Sequence, residues 1–126
     1  MIQSGILNPH LLSLIARIRH TNTLVIADWA FPFWPQIETV DISLSHGVPT
    51  ILQVLDVLKP NFKIGKIWQA EQFVTSNTPE TVARFDQSFA EIPNLSVERL
   101  LHNDFKKLVP GAIGLIRTGD ATPYGN

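Results

Sequence analysis

Leu11, Leu14, Ile15 and Ile18 recur at three- and four-residue steps, the spacing of one helical face. Asn8 suits the N-cap and Pro9 the first helical position. Arg17 and Arg19 fall in the expected last turn, where cations complement the helix dipole. The period then changes. Thr23-Leu24-Val25-Ile26-Ala27-Asp28 predicts a buried strand, being short, apolar and β-branched. It runs into Trp29-Ala30-Phe31-Pro32-Phe33-Trp34-Pro35, whose prolines and large aromatics predict a stiff apolar loop.

A short strand is expected from Glu38 to Ile42, and Pro49 should open a helix carrying Ile51, Leu52, Leu55 and Leu58. Lys63 to Glu71 reads as a strand. Thr78-Pro79-Glu80 should cap a helix over Val82, Phe85 and Phe89 that ends near Pro93. Ser96 to Leu101 is a further strand, Asn103 to Leu108 a brief helix, and Ala112 to Arg117 a last apolar strand. The tail from Thr118 to Asn126 is rich in turn formers. Strands alternating with helices at this pitch predict an α/β fold: one domain over residues 1–126, with a largely parallel central sheet flanked by helices.

Composition narrows the function. The 126 residues are 44% hydrophobic and only 17% charged, which excludes a disordered chain. A domain this small buries limited area alone, so part of its apolar surface is expected between subunits. Ten basic residues against eleven acidic ones give a net charge of −1, without the basic surplus that nucleic-acid or anionic-membrane binding requires. Zero cysteines exclude disulfides, thiolate metal sites and a cysteine nucleophile. The N-terminal residues lack a basic n-region and an apolar core, and no apolar run reaches the roughly 20 residues that cross a bilayer. A cytoplasmic protein is the expectation.

Few residues can carry chemistry. His10 sits in the first helical turn and reads as surface, and His46 before Gly47 reads as either surface or site. His20 lies where a helix turns into a strand, and Asp28 at that strand's C-terminal end, the edge where open sheets bind ligands. The ordinary alternatives are that His20 caps helix carbonyls and that Asp28 caps the next turn. His102, at the start of a short helix, is open to the same two readings. Tyr124 and Asn126, two residues apart, would project to one side of an extended segment and offer donors and acceptors suited to sugar hydroxyls. No metal-ligand spacing, phosphate loop or dinucleotide fingerprint occurs, so no cofactor or metal is expected.

Three ordered segments nevertheless resemble the D-ribose pyranase and L-fucose mutarotase family. They are Arg19-His20-Thr21-Asn22-Thr23-Leu24-Val25-Ile26-Ala27-Asp28 with Pro32, then Val40-Asp41-Ile42-Ser43-Leu44 with Gly47-Val48-Pro49, then Arg117-Thr118-Gly119 with Pro123-Tyr124-Gly125-Asn126. Gln53-Val54-Leu55 and Ala70-Glu71 agree more weakly, and the stretch from Gln72 to Leu95 agrees poorly. The resemblance implies a catalytic histidine at His20, with Asp28, His102, Tyr124 and Asn126 binding the sugar. It implies conversion between pyranose and furanose forms, or between anomers, through the open-chain aldehyde. One group takes the anomeric proton while another protonates the ring oxygen, and an imidazole titrating near neutrality can serve in both directions. D-ribose is the favoured substrate and L-fucose the next.

The sequence also departs from the family's pattern. Arg19 stands in place of a glycine, Asn22 in place of an aspartate, and Trp29 in place of a small residue. Family members usually continue past Asn126 into one more strand, so either the sequence is truncated or that strand is missing, and the terminal loop is expected to be less firmly held. The resemblance further implies a ring-shaped homo-oligomer, a pentamer or two stacked pentamers, with pockets between subunits. His20 and Asp28 flank one strand, so Tyr124 or Asn126 is expected nearer to His20 or Asp28 of an adjacent subunit than to those of its own. Two other readings compete: a non-catalytic monosaccharide-binding or transport-accessory protein, and an interaction module docking through Trp29 to Trp34.

Overall fold

The computed structural model describes residues 1–126. Helix α1, Pro9–Ile15, starts at Asn8, whose side-chain oxygen accepts from the Leu11 amide, with Pro9 in its first turn. It ends at Ile15, short of Arg17 and Arg19, so neither lies in the last turn as expected. Both still cap it from outside: Arg17 Nε donates to Ser13 O, and Arg19 Nη1 to Ala16 O and Ile18 O. The carbonyls at a helix end lack intrahelical donors, and a long cationic side chain from the following turn can reach them.

Strands β1, Leu24–Ala27, and β2, Glu38–Asp41, follow. Helix α2, Ile51–Leu58, begins two residues later than the sequence predicts. Thr50 and Gln53 form a reciprocal capping box there, while Pro49 follows a cis peptide bond and stays outside the helix. Strand β3 is Lys66–Ala70, and helix α3, Gln72–Ser76, is a short turn of helix that no periodic pattern announces. Helix α4, Pro79–Ala90, is capped by Thr78. Strand β4, Ser96–Leu100, helix α5, His102–Leu108, and strand β5, Gly114–Arg117, complete the chain.

Every strand pairing is parallel, but the strands divide into two sheets. One has the order β1-β5-β2 and the other pairs β3 with β4. In the first, Ala27 and Asp41 both lie opposite Arg117; in the second, Ala70 lies opposite Leu100. Successive side chains of β5 face opposite sides of the sheet. Ile116 packs with Leu14, Val40, Val54 and Leu58 under α1 and α2, whereas Leu115 packs with Ala27, Phe31, Phe105 and Val109 against α5. A third cluster, Ile51, Leu55, Phe73, Phe85 and Phe89, joins α2 to α3 and α4. Gly114 lets α1 approach: a Cβ there would lie 2.6 Å from Leu14 Cδ1.

The aromatic loop is divided. Phe31 is buried edge-on to Phe105 and Trp34 is half-buried beside it, so both belong to the core. Trp29 and Phe33 remain 52% and 71% exposed. No helix is long and apolar enough to cross a membrane.

Candidate functional site

Parallel pairing sets which residues can meet. With Ala27 opposite Arg117, the chain leaves β1 at Asp28 and leaves β5 at Thr118 on the same edge of the sheet. Thr118 is fully buried and donates its hydroxyl to Ala27 O, and Gly119 follows in a space that only glycine fits. A Cβ at Gly119 would lie 2.3 Å from the carbonyl oxygens of both Ser45 and Val48. From there the tail folds back over the strand ends. The Asp28 amide donates to Asn126 Oδ1 at 2.6 Å, and Asn126 Nδ2 donates to Asp28 Oδ2 at 3.2 Å.

This pair lies within one chain, so of the approaches expected between Tyr124 or Asn126 and a neighbour's His20 or Asp28, the one from Asn126 to Asp28 is made inside the chain instead. The pair also corrects the expectation of a loosely held terminal loop. Asp28 fulfils the ordinary strand-end reading as well, because its Oδ1 caps the Ala30 amide at 3.0 Å.

The second sheet supplies His102. Ala70 and Leu100 are paired, so β3 leaves toward Gln72 as β4 leaves toward His102. The His102 amide, which has no acceptor within α5, donates to Gln72 Oε1 at 3.0 Å. Its ring is near-parallel to Phe105, with centroids 6.3 Å apart, and meets Tyr124 edge-on at 5.0 Å. Tyr124 does not lie in an extended segment. It has φ 55° in a turn closed by the Gly125 amide donating to Thr122 O, which aims Tyr124 at His102 while Asn126 goes to Asp28.

Burial holds the His102 pKa below the ordinary 6.5, and the nearby Lys106 charge pushes it the same way; Asp28 pulls upward but loses. The imidazole is therefore neutral at pH 7, with one donor and one acceptor nitrogen. Its Nδ1 is buried with no hydrogen-bond partner. A buried polar atom without a partner is rare in a native fold and calls for one.

Four of the five expected site residues thus converge: Asp28, His102, Tyr124 and Asn126. His20 does not join them. It is exposed in the turn before β1, at the opposite end of a strand roughly 10 Å long at about 3.3 Å per residue. That turn is well defined: Thr21 has φ 71°, and Asn22 Oδ1 accepts from the Arg19 amide at 2.7 Å. His10 is exposed on α1, and His46 is exposed beside Trp29, with ring centroids 5.3 Å apart. No group of His, Asp or Glu side chains is arranged to hold a metal. A surface groove lined by Phe89, Ile92, Leu95 and Val97 lies elsewhere, beside β4.

Two contributors were not among the expected site residues. Gln72 holds the His102 backbone, and it falls in the stretch where motif agreement is poorest. Arg117 reaches from the end of β5 to Asp28 O and Trp29 O through Nη1, and to Pro32 O through Nη2. A cation at the end of an apolar strand is the signal that marked it, but the three carbonyls it serves come from 85 to 89 positions away.

Known proteins share this fold. The RbsD / FucU transport protein family matches residues 1–126. The D-ribose pyranase of an Exiguobacterium species is 40% identical over 126 residues, covering 100% of this chain and 93% of that protein. The D-ribose pyranase of Staphylococcus haemolyticus is 35% identical with the same coverage. Bacillus subtilis RbsD, solved in complex with D-ribose, superposes with a TM-score of 0.86 at 35% identity, covering 98% of this chain and 92% of that one. The fucose mutarotase of Streptococcus pneumoniae, solved with L-fucose, shares the fold at 17% identity with a TM-score of 0.70, covering 94% of this chain and 87% of that one. With its whole length matched, the chain belongs to the RbsD / FucU family.

Proposed function

We propose that this protein is a sugar isomerase of the pyranase and mutarotase type, with D-ribose as its substrate. The observation that carries the reading is the meeting of Asp28, Asn126, Tyr124 and a neutral His102 with an unpartnered Nδ1. Such a cluster offers a carboxylate, an amide, a phenol and an imidazole to a polyhydroxylated ring. Relatives named D-ribose pyranase support ribose as the substrate here over fucose, since the fucose mutarotase shares only the fold.

Ring opening removes the anomeric hydroxyl proton and delivers a proton to the ring oxygen as its bond to the anomeric carbon breaks. Closure on a different hydroxyl, or on the other face of the aldehyde, runs the same transfers backwards. His20 is the acid–base group in this reading, with the converged four binding and orienting the sugar. A positioned general acid–base group contributes about 10²–10⁴-fold, enough for a reaction that already proceeds unaided.

His20 reaches the sugar from a neighbouring subunit of a ring-shaped homo-oligomer, a pentamer or two stacked pentamers. Its exposed position at the opposite sheet edge supports this, as do the exposed Trp29, Phe33 and Leu44 side chains, which need cover. Saturation-transfer NMR on D-ribose and L-fucose tests the activity. Enhanced exchange between ribose pyranose and furanose signals is expected. Ribose binding without enhanced exchange would instead identify a non-catalytic sugar-binding protein, and binding of neither sugar would end the sugar reading.

A further inference from the structure

Asp120 is buried, at 5% exposure, and has no cationic partner. Its carboxylate instead accepts two backbone amides from different parts of the chain. Oδ2 accepts from Ile51, the first residue of α2, at 2.8 Å, and Oδ1 accepts from Thr122 at 2.7 Å. The Ile51 amide has no acceptor within its own helix, and a negative charge at that end is favoured by the helix dipole. Thr122 in turn closes the turn that presents Tyr124, through its carbonyl to Gly125.

The backbone of Asp120 serves the other half of the site. Its carbonyl accepts from the Trp29 amide at 3.0 Å, one residue past Asp28. A single residue therefore holds the loop bearing Tyr124 and Asn126 with its side chain, and the Asp28 turn with its main chain. We propose that Asp120 is a positioning residue for sugar binding: it anchors the terminal loop to the start of α2 and so fixes the spacing of Asn126 and Tyr124 against Asp28 and His102. This rests on the sugar-site reading given above.

The test compares wild type, Asp120→Asn and Leu11→Ala, the last being a change in the core cluster under α1, which holds neither Ile51 nor any residue of the site, so that it lowers stability alone. Asp120→Asn turns one acceptor into a donor facing a backbone amide. It is expected to raise the ribose KM at least ~10-fold with kcat changed less than ~3-fold, the signature of lost binding rather than lost chemistry. The Asn126 side-chain amide signals should move toward those of a free asparagine. Leu11→Ala should change neither. A folded Asp120→Asn protein with wild-type KM and unshifted Asn126 signals would overturn the proposal, as would an equal KM rise in Leu11→Ala.

Should Asp120→Asn not fold, amide hydrogen exchange in the wild type decides. Ile51 and Thr122 are expected to be protected as well as Trp29, and exchange at open-loop rates would refute the anchor. If the wild type neither binds nor converts any sugar, the sugar reading fails. The Asn126 signals and the two amides would still report whether Asp120 holds the loop.

Discussion

Asn126 and Asp28 exchange two hydrogen bonds across 98 positions of sequence, amide to carbonyl in one direction and side-chain amide to carboxylate in the other. Asn126→Asp keeps the acceptor for the Asp28 amide but sets a carboxylate against a carboxylate. Like charges this close disfavour joint ionisation. Ribose affinity should fall at least ~10-fold at pH 7, since a hydrogen bond to a charged group is worth about 1.5–3 kcal/mol. Affinity should recover partly at lower pH, where the pair shares a proton. Isothermal calorimetry between pH 5 and 8 measures this, and a variant with wild-type affinity throughout would refute the role of the pair.

The depressed pKa of His102 makes a prediction about pH. Between that pKa and 6.5, the unfolded chain binds a proton that the folded chain refuses, so stability rises with pH in this window. It is fully present above 6.5 and declines as pH falls below it. Chemical denaturation of wild type and His102→Asn across this range should show the slope in the former and a weaker one in the latter. NMR titration of the His102 ring should give a midpoint below 6.5.

Gly119→Ala tests the close approach beneath the terminal loop. The added methyl would meet the Ser45 and Val48 carbonyl oxygens at 2.3 Å, and both belong to backbone that cannot rotate aside. Overpacking of this kind costs about 1–3 kcal/mol. A drop in Tm accompanied by weakened ribose binding is expected, since the displaced segment carries Asp120 and Asn126. Unchanged stability would show that the Ser45–Val48 hairpin yields freely.

His20→Ala should lower exchange at least ~10²-fold with Tm unchanged, because the side chain is exposed and the effect is that of an acid–base group. Mixing inactive His20→Ala with inactive His102→Ala subunits, after dissociation and reassembly, tests the shared pocket. If each site draws His20 from one subunit and His102 from another, random assortment in a ring restores about one quarter of the sites. No recovery in reassembled rings would place both histidines in one subunit's site or remove one from the mechanism. Sedimentation as a 14.1 kDa monomer at micromolar concentration would exclude the assembly itself.

Local pattern alone determined most of the elements. The Asn8 and Thr78 caps, the β-branched run ending at Ala27 and the apolar strand ending at Arg117 are written in adjacent residues, because caps and periodicity act over a few positions. The chemistry-bearing residue types were legible too, as ordered motifs. Helix α3 was not, being too short to show a period, nor was the start of α2 at Thr50, where a capping box and not the proline set the boundary. Only tertiary structure decided which motifs meet. Parallel pairing of β1 with β5 carried Asn126 back to Asp28, and packing of the second sheet set His102 against Tyr124. It also left His20 at the far edge. These are contacts between segments 22 to 98 positions apart, made by sheet register and burial, and a reading of neighbours along the chain carries no term for either.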